Sequence, residues 1–471
     1  MKNFSIKANL VDVVGRDTYP AELFVENGRI NKILALEKQQ KIYVLPGFVD
    51  AHVHIESSMV TPLEFSRAAI PHGTIASVSD PHEIANVLGK KGVEFMINNA
   101  QQTPFKILFG APSCVPATSF ETAGAKLSCE DISELMELED VGYLSEMMNY
   151  PGVIYKDEEV LEKLKIAKYN NYPIDGHAPG LRGEDLEKYV AGGISTDHEC
   201  FSIEEAREKI SLGMSIQIRE GSGAKNFNAL IPLLDEHPEK IMFCSDDLHP
   251  DDLLQGHMNL LVKKAIDIGY DQYDVLRAAG YNAINHYNLD VGLLQEGDPA
   301  DFILVNSMQE MDVLKVFIDG DLCYDMGEVK ISRIEINPLN HFEADEIEEK
   351  ALILKPEGKK LKIIKAINRE LITESKIAQF TSEANNIVSD IEKDLLKLVV
   401  LNRYQKKAPA IGFINGFGLK KGAIASSIAH DSHNIICVGA SDREIKEATN
   451  WIIRNKGGIV AYDGKIFTGL P

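Results

Sequence analysis

Eight short apolar runs, each followed by a stretch of helical periodicity, constrain this chain more than any other feature. They fall at residues 47–55, 74–79, 106–109, 141–147, 172–176, 194–196, 215–218 and 241–244. Between them, residues 83–102, 156–169, 203–212 and 251–268 carry apolar positions at helical spacing. Strands alternating with helices imply βαβ units and a parallel sheet. Eight such units between residues 46 and 288 fit a closed (β/α)8 barrel better than an open sheet. Residues 1–45 read as hairpins with a turn at Asn27-Gly28, and residues 289–340 return to short strands. These two flanks are expected to pair into one small β-sandwich domain. Residues 341–471 form a further C-terminal α/β domain with its own glycines and apolar runs, entered through a charged, polar stretch at 343–350.

At 471 residues the chain is long enough for two or three folding units. Its formal net charge of -22 argues against a nucleic-acid backbone or an anionic membrane as partner, because both would repel it. The first ten residues have no apolar signal core, and no run of about twenty apolar residues occurs. The cysteines Cys114, Cys129, Cys200, Cys244, Cys323 and Cys437 have no paired spacing. A reducing, cytoplasmic setting is therefore the expectation. The absence of Cys-x-x-Cys also excludes zinc ribbons and the Cys-ligated zinc deaminases.

Polar residues with ligand chemistry gather at the C-terminal ends of the eight runs, the rim on which barrels of this class build active sites. The first run ends in Asp50-Ala51-His52-Val53-His54, and strand alternation turns both imidazoles to one face. Glu146 lies on the fourth run, and His177, His198 and Asp246 follow the fifth, sixth and eighth. Four imidazoles and two carboxylates supply enough ligands for two divalent ions. Donors without thiolate suit zinc, iron or manganese. Taken singly, each is also readable as a capped or solvated loop residue; the set is what carries the reading. Asp80 and His82 follow the second run, as candidates to orient substrate, move a proton or bind metal. The plainer alternative for Asp80 is a helix cap. Arg219, Glu220 and Ser222 follow the seventh run and offer donors and acceptors to a substrate, against a rim salt bridge as the plain reading of Arg219.

These residues resemble the amidohydrolase superfamily. The segments LPGFVDAHVHIESS, SVSDPHEIANVLG, SEMMNYPGV, DGHAPG, TDHEC, IREGS and CSDDLHP resemble, more narrowly, the bacterial and archaeal adenine deaminases. The resemblance runs from about residue 10 to the end. It implies His52, His54, His177, His198 and Asp246 as metal ligands. It also implies Glu146 in place of the carboxylated lysine that bridges the metals in many relatives. Two divalent ions per chain are expected, manganese first, with iron or zinc as alternatives. The implied substrate is adenine, converted to hypoxanthine and ammonia in purine salvage, and a homo-oligomer is expected.

The chemistry implied is attack of a metal-activated hydroxide on C6 of adenine. Asp246 would take the proton and return it to the departing ammonia. A second acid should protonate ring nitrogen N1; Glu83 and Glu220 are the candidates. Competing readings are another hydrolase of cyclic amides or aminated bases, such as a hydantoinase or dihydroorotase, a catalytically dead barrel scaffold, and a purine-binding module without turnover. His430 and His433, in the run Ala429-His430-Asp431-Ser432-His433-Asn434, read as packing residues before ligands. Family members usually continue beyond the equivalent of Pro471, so an incomplete last domain is an expectation too.

Overall fold

The computed structural model describes residues 3–368 and 371–471. Eight parallel strands form the barrel: β1 (Phe48–Val53), β2 (Thr74–Ser79), β3 (Lys106–Ala111), β4 (Val141–Met147), β5 (Ile174–Gly176), β6 (Thr196–Asp197), β7 (Ser215–Arg219) and β8 (Ile241–Cys244). Every residue of β1, β2, β7 and β8 is buried, as expected where a parallel sheet is covered on both faces. Parallel ladders join β1 through β5 and β6 through β8. The Ser195 amide donates to the Ile174 carbonyl at 2.9 Å, linking β5 to β6. Closure of β8 on β1 runs through Asp246, whose amide donates to His52 O at 2.9 Å while its carbonyl accepts from the His54 amide at 3.3 Å. The seam of the barrel is thus made by three residues of the expected ligand set, His52, His54 and Asp246.

Local chemistry refines the expected helices. The helix anticipated over 83–102 is two, His82–Leu88 and Lys90–Ala100, because Gly89 adopts φ +63 and ends the first. That anticipated over 251–268 divides into Pro250–Gln255 and Met258–Ile268, separated by Gly256. Helix Glu158–Tyr169 starts where the Asp157 side chain accepts from the Val160 amide.

The strands flanking the barrel join in one eight-stranded sheet around a single core that includes Leu10, Leu23, Val44 and Phe302. Strand Tyr43–Pro46 pairs with Phe302–Val305, so the two ends of the barrel sequence meet there. At Asn27-Gly28, φ values of 53° and 81° form the tight hairpin turn that the dipeptide announces.

The chain divides into two compact units. The first comprises residues 1–82, 90–114 and 127–337. The second comprises residues 83–89, 115–126 and 338–471, so two short segments from the barrel's sequence range belong with the C-terminal residues. In the second unit an eight-stranded sheet carries helix Asp442–Asn455, which buries Ile445, Ala448 and Ile452 against Ala423, Ala425 and Cys437. Among the described residues, no helix is long and apolar enough to cross a membrane.

Candidate metal centre

Five imidazoles and four carboxylates gather on the first unit: His52, His54, His82, His177 and His198 with Asp80, Glu146, Glu199 and Asp246. They arrive from the ends of β1, β2, β4, β5, β6 and β8, each strand delivering one or two groups to the same rim. All are buried except His177, which is partly exposed.

Glu146 occupies the middle. Its Oε1 lies 3.6 Å from His54 Nε2 and 3.4 Å from His82 Nδ1. Its Oε2 lies 2.7 Å from His177 Nδ1 and 3.1 Å from His198 Nε2. Burial pushes the Glu146 carboxyl up, but the His177 and His198 imidazoles together hold it well below the usual carboxylate range. Asp246 stands opposite, with Oδ1 3.3 Å from His54 Nε2 and 3.9 Å from His52 Nε2. Burial again opposes ionisation, and the His54 contact and Arg219 guanidinium overcome it. Asp246 has φ +55, a left-handed conformation uncommon for a residue with a side chain.

The donor set fits divalent ions. His52 Nε2 and His54 Nε2 are 3.2 Å apart. His54 Nδ1 donates to the Asp80 carbonyl at 3.0 Å, which would leave Nε2 to face an ion in place of the proton that Asp246 and Glu146 favour there, since they hold the His54 pKa well above its ordinary value against burial. Burial and the neighbouring His198 and His54 hold the His52 pKa well below its ordinary value, so its ring is neutral. Two nitrogens at that distance need a proton or a cation between them, and nitrogen and oxygen donors without thiolate suit zinc, iron or manganese.

The remaining expected residues have definite places. Asp80 and His82 join the cluster, His82 Nδ1 lying 3.2 Å from Asp80 Oδ2. Of the three roles left open for them by the sequence, this placement suits the metal-binding one. The guanidinium of Arg219 is committed to Asp246 and, through two nitrogens, to Glu199. It is buried and engaged with carboxylates, which matches the salt-bridge alternative of its two expected readings rather than the substrate contact. Ser222 Oγ donates to Asp252 at 2.5 Å and accepts from the His249 amide at 2.9 Å. Glu220 pairs with Lys264 at 3.4 Å and lines a cavity of about 230 Å³ to which none of the nine clustered residues contributes. In the second unit, the buried Glu83 carboxylate lies 2.7 Å from His430 Nδ1 and 3.5 Å from His433 Nε2. The Ala429 amide donates to His433 Nδ1 at 3.3 Å, which leaves the ring proton on Nε2, facing Glu83. Both histidines therefore face a carboxylate, a more specific placement than packing.

Sequence reasoning passed over Glu199 and Asp50. Glu199 lies 3.7 Å from His198 Nε2 and 3.8 Å from His177 Nδ1. Its signal was an acid directly following a ligand histidine at a strand end. Asp50 accepts from the His52 amide at 3.3 Å, the Ser245 amide at 2.9 Å and His257 Nε2 at 2.9 Å, bracing β1 against β8 beneath the cluster.

Comparison with known proteins places this geometry among relatives. Residues 43–323 match the amidohydrolase family and residues 370–471 the adenine deaminase C-terminal domain. Over 471 residues the chain is 50% identical to an adenine deaminase of Salinibacter ruber, covering all of this chain and 86% of that one. It is 49% identical to an adenine deaminase of Methanosarcina mazei, covering 98% of this chain and 86% of that one. A β-aspartyl dipeptidase from Fervidobacterium islandicum shares the fold with a TM-score of 0.52 at 15% identity, over 70% of this chain and 99% of its own. A zinc-bound adenosine deaminase from Xanthomonas campestris gives a TM-score of 0.52 at 15% identity, over 71% of this chain and 94% of its own.

Proposed function

The chain belongs to the adenine deaminase family, and we propose that it hydrolyses adenine to hypoxanthine and ammonia with two divalent ions, manganese foremost, held around Glu146. Metal-dependent hydrolytic deamination follows from the family. The two-ion reading is supported by one observation above all: the two oxygens of Glu146 divide the imidazoles into a His54/His82 pair and a His177/His198 pair. A carboxylate so placed can serve two ions at once. His52, His54 and Asp246 with one side of Glu146, and His177 and His198 with the other, would hold them. Asp80, His82 and Glu199 are within reach as further donors.

Divalent ions held there would lower the pKa of water from about 15.7 towards about 7 and so make a nucleophile available at neutral pH. Asp246 Oδ1 accepts the proton of the attacking water as the C6–O bond forms. Glu83 gives its proton to N1, where the attack places negative charge. Asp246 then passes its proton to the C6 amino group, the C–N bond breaks, and ammonia leaves. The remaining hydroxyl proton on C6 returns to Glu83, which restores the enzyme and yields hypoxanthine. Glu83 is favoured over Glu220 because Glu220 is held by Lys264 beside a separate cavity, whereas Glu83 follows His82 in the chain. Arg219 keeps Asp246 ionised and aimed, so its contribution to the reaction passes through Asp246. Recycling of purine bases in the cytoplasm is the setting this reaction fits.

The decisive experiment is ammonia release from adenine by protein reconstituted in turn with manganese, iron and zinc. Ammonia and hypoxanthine formed one-for-one with adenine consumed is the expected result. Bound ions without turnover on any metal would overturn the substrate.

A further inference from the structure

The loops that carry His177 and His198 share a single buried cation. Lys209, on helix Ile203–Ser211, is fully buried. Its ammonium donates to the Ala178 carbonyl at 2.8 Å and to Glu205 Oε1 at 2.7 Å, and lies 3.1 Å from Asp197 Oδ2. The two carboxylates reach onward to both loops. Asp197 accepts from the Ala178 amide at 3.0 Å and from the Glu199 amide at 2.8 Å. Glu205 accepts from the Gly180 amide at 2.9 Å and from the Phe201 amide at 3.2 Å. Ala178 and Gly180 follow His177; Asp197, Glu199 and Phe201 bracket His198. The chain is therefore clamped on both sides of His198 and immediately after His177. Burial works against the Lys209 charge, but Asp197 and Glu205 keep it above its usual pKa.

An uncompensated lysine in such a place would be expelled or neutralised. One retained between two carboxylates, each spending its other lone pairs on backbone amides of ligand loops, has a geometric consequence. We propose that Lys209 is a positioning residue that sets the spacing of His177 and His198, and so governs one of the two metal positions selectively. The inference rests on the two-ion reading given above. Among the described residues, no hydrogen bond or ion pair joins Lys209, Asp197 or Glu205 to His52, His54 or Asp246. His198 stacks on His52 with ring centroids 4.0 Å apart, but the other position has supports of its own in Asp50, Ser245 and the β1–β8 seam.

The test is metal content per chain, measured by mass spectrometry after dialysis against a chelator series, for wild type, Lys209→Met, Lys209→Arg and Glu205→Ala. Glu205→Ala leaves the ammonium paired with Asp197, so it remains informative if Lys209→Met does not fold. Lys209→Met and Glu205→Ala are expected to lose one ion at a chelator concentration about tenfold below wild type, with the other ion unmoved. Lys209→Arg should recover part of that loss by keeping the charge. Two ions leaving together, an equal weakening of both, or wild-type midpoints in Lys209→Met and Glu205→Ala would each overturn the proposal. A wild-type chain that holds only one ion overturns the two-ion reading instead. Lys209 is then judged by whether the midpoint of that ion shifts.

Discussion

Glu146 Oε2 stands 2.7 Å from His177 Nδ1, while its other oxygen stands 3.4 Å from His82, so one carboxylate joins imidazoles delivered by β5 and by the turn after β2. Glu146→Ala removes a carboxylate that reaches both imidazole pairs. Bound metal in that variant should fall below two ions per chain, read by elemental analysis of dialysed protein. Retention of two would dismiss a bridging role.

Asp246→Asn retains the size of the side chain and the bridge between β8 and β1, so the fold should survive. Loss of the proton shuttle and a weakened metal ligand should lower kcat for ammonia release by about 10³-fold or more, in the range of general acid–base contributions. Near wild-type turnover would exclude Asp246 as the base.

Glu83→Gln and Glu220→Gln separate the two candidate acids. The first should reduce kcat by about 10²-fold or more. The second breaks a partly exposed pair with Lys264 and should leave kcat within about twofold, since such pairs are worth little. A reversed order would transfer the role to Glu220.

Arg219→Met leaves Asp246 and Glu199 buried without their cation. Stripping one partner from a buried ion pair costs about 3–5 kcal/mol, and the metal-free protein should lose stability on that scale in denaturant titrations. Arg219→Lys keeps the charge but not the two-nitrogen fork to Glu199, so a smaller loss is expected. Equal stability of all three proteins would show that the guanidinium carries no structural load.

Acid sensitivity has an identified contributor away from the cluster. Burial, with Lys240 nearby, holds His286 down to about 4 from an ordinary 6.5. Between those values the unfolded chain takes up the proton first, so stability falls as pH drops from 6.5 towards 4 and is unaffected by this group above 6.5. His286→Gln should flatten the fall of Tm across that window. Parallel curves for the two proteins would remove His286 from the account.

Much of the barrel was legible because its signals are local. A short apolar run followed by a helical stretch reports a βα unit whatever lies elsewhere; the runs at 74–79, 141–147 and 241–244 coincide with their strands, and four more share at least three residues with theirs. The sixth is displaced to Thr196–Asp197, since only two residues there pair in the ladder. Helix ends were less legible: Gly89 and Gly256 each divide a periodic stretch that otherwise reads as continuous. At the site, period-two alternation put His52 and His54 on one face, and the polar residues at the other strand ends were needed to read them as ligands. The partners of Arg219 were not, because a guanidinium at a strand end suits a substrate or a carboxylate equally well.

The sequence by itself determined which groups the rim would hold, since strand alternation and strand ends decide where a side chain can point. Tertiary structure decided what those groups face. Glu146 reaches four imidazoles from four separate places in the chain, and Asp246 meets them by taking a left-handed turn that seals the barrel. Lys209 joins two loops through backbone groups that carry no side-chain signature at all. Glu83 finds His430 and His433 across nearly 350 residues of chain. Such pairings depend on packing between distant segments, and no local pattern encodes them.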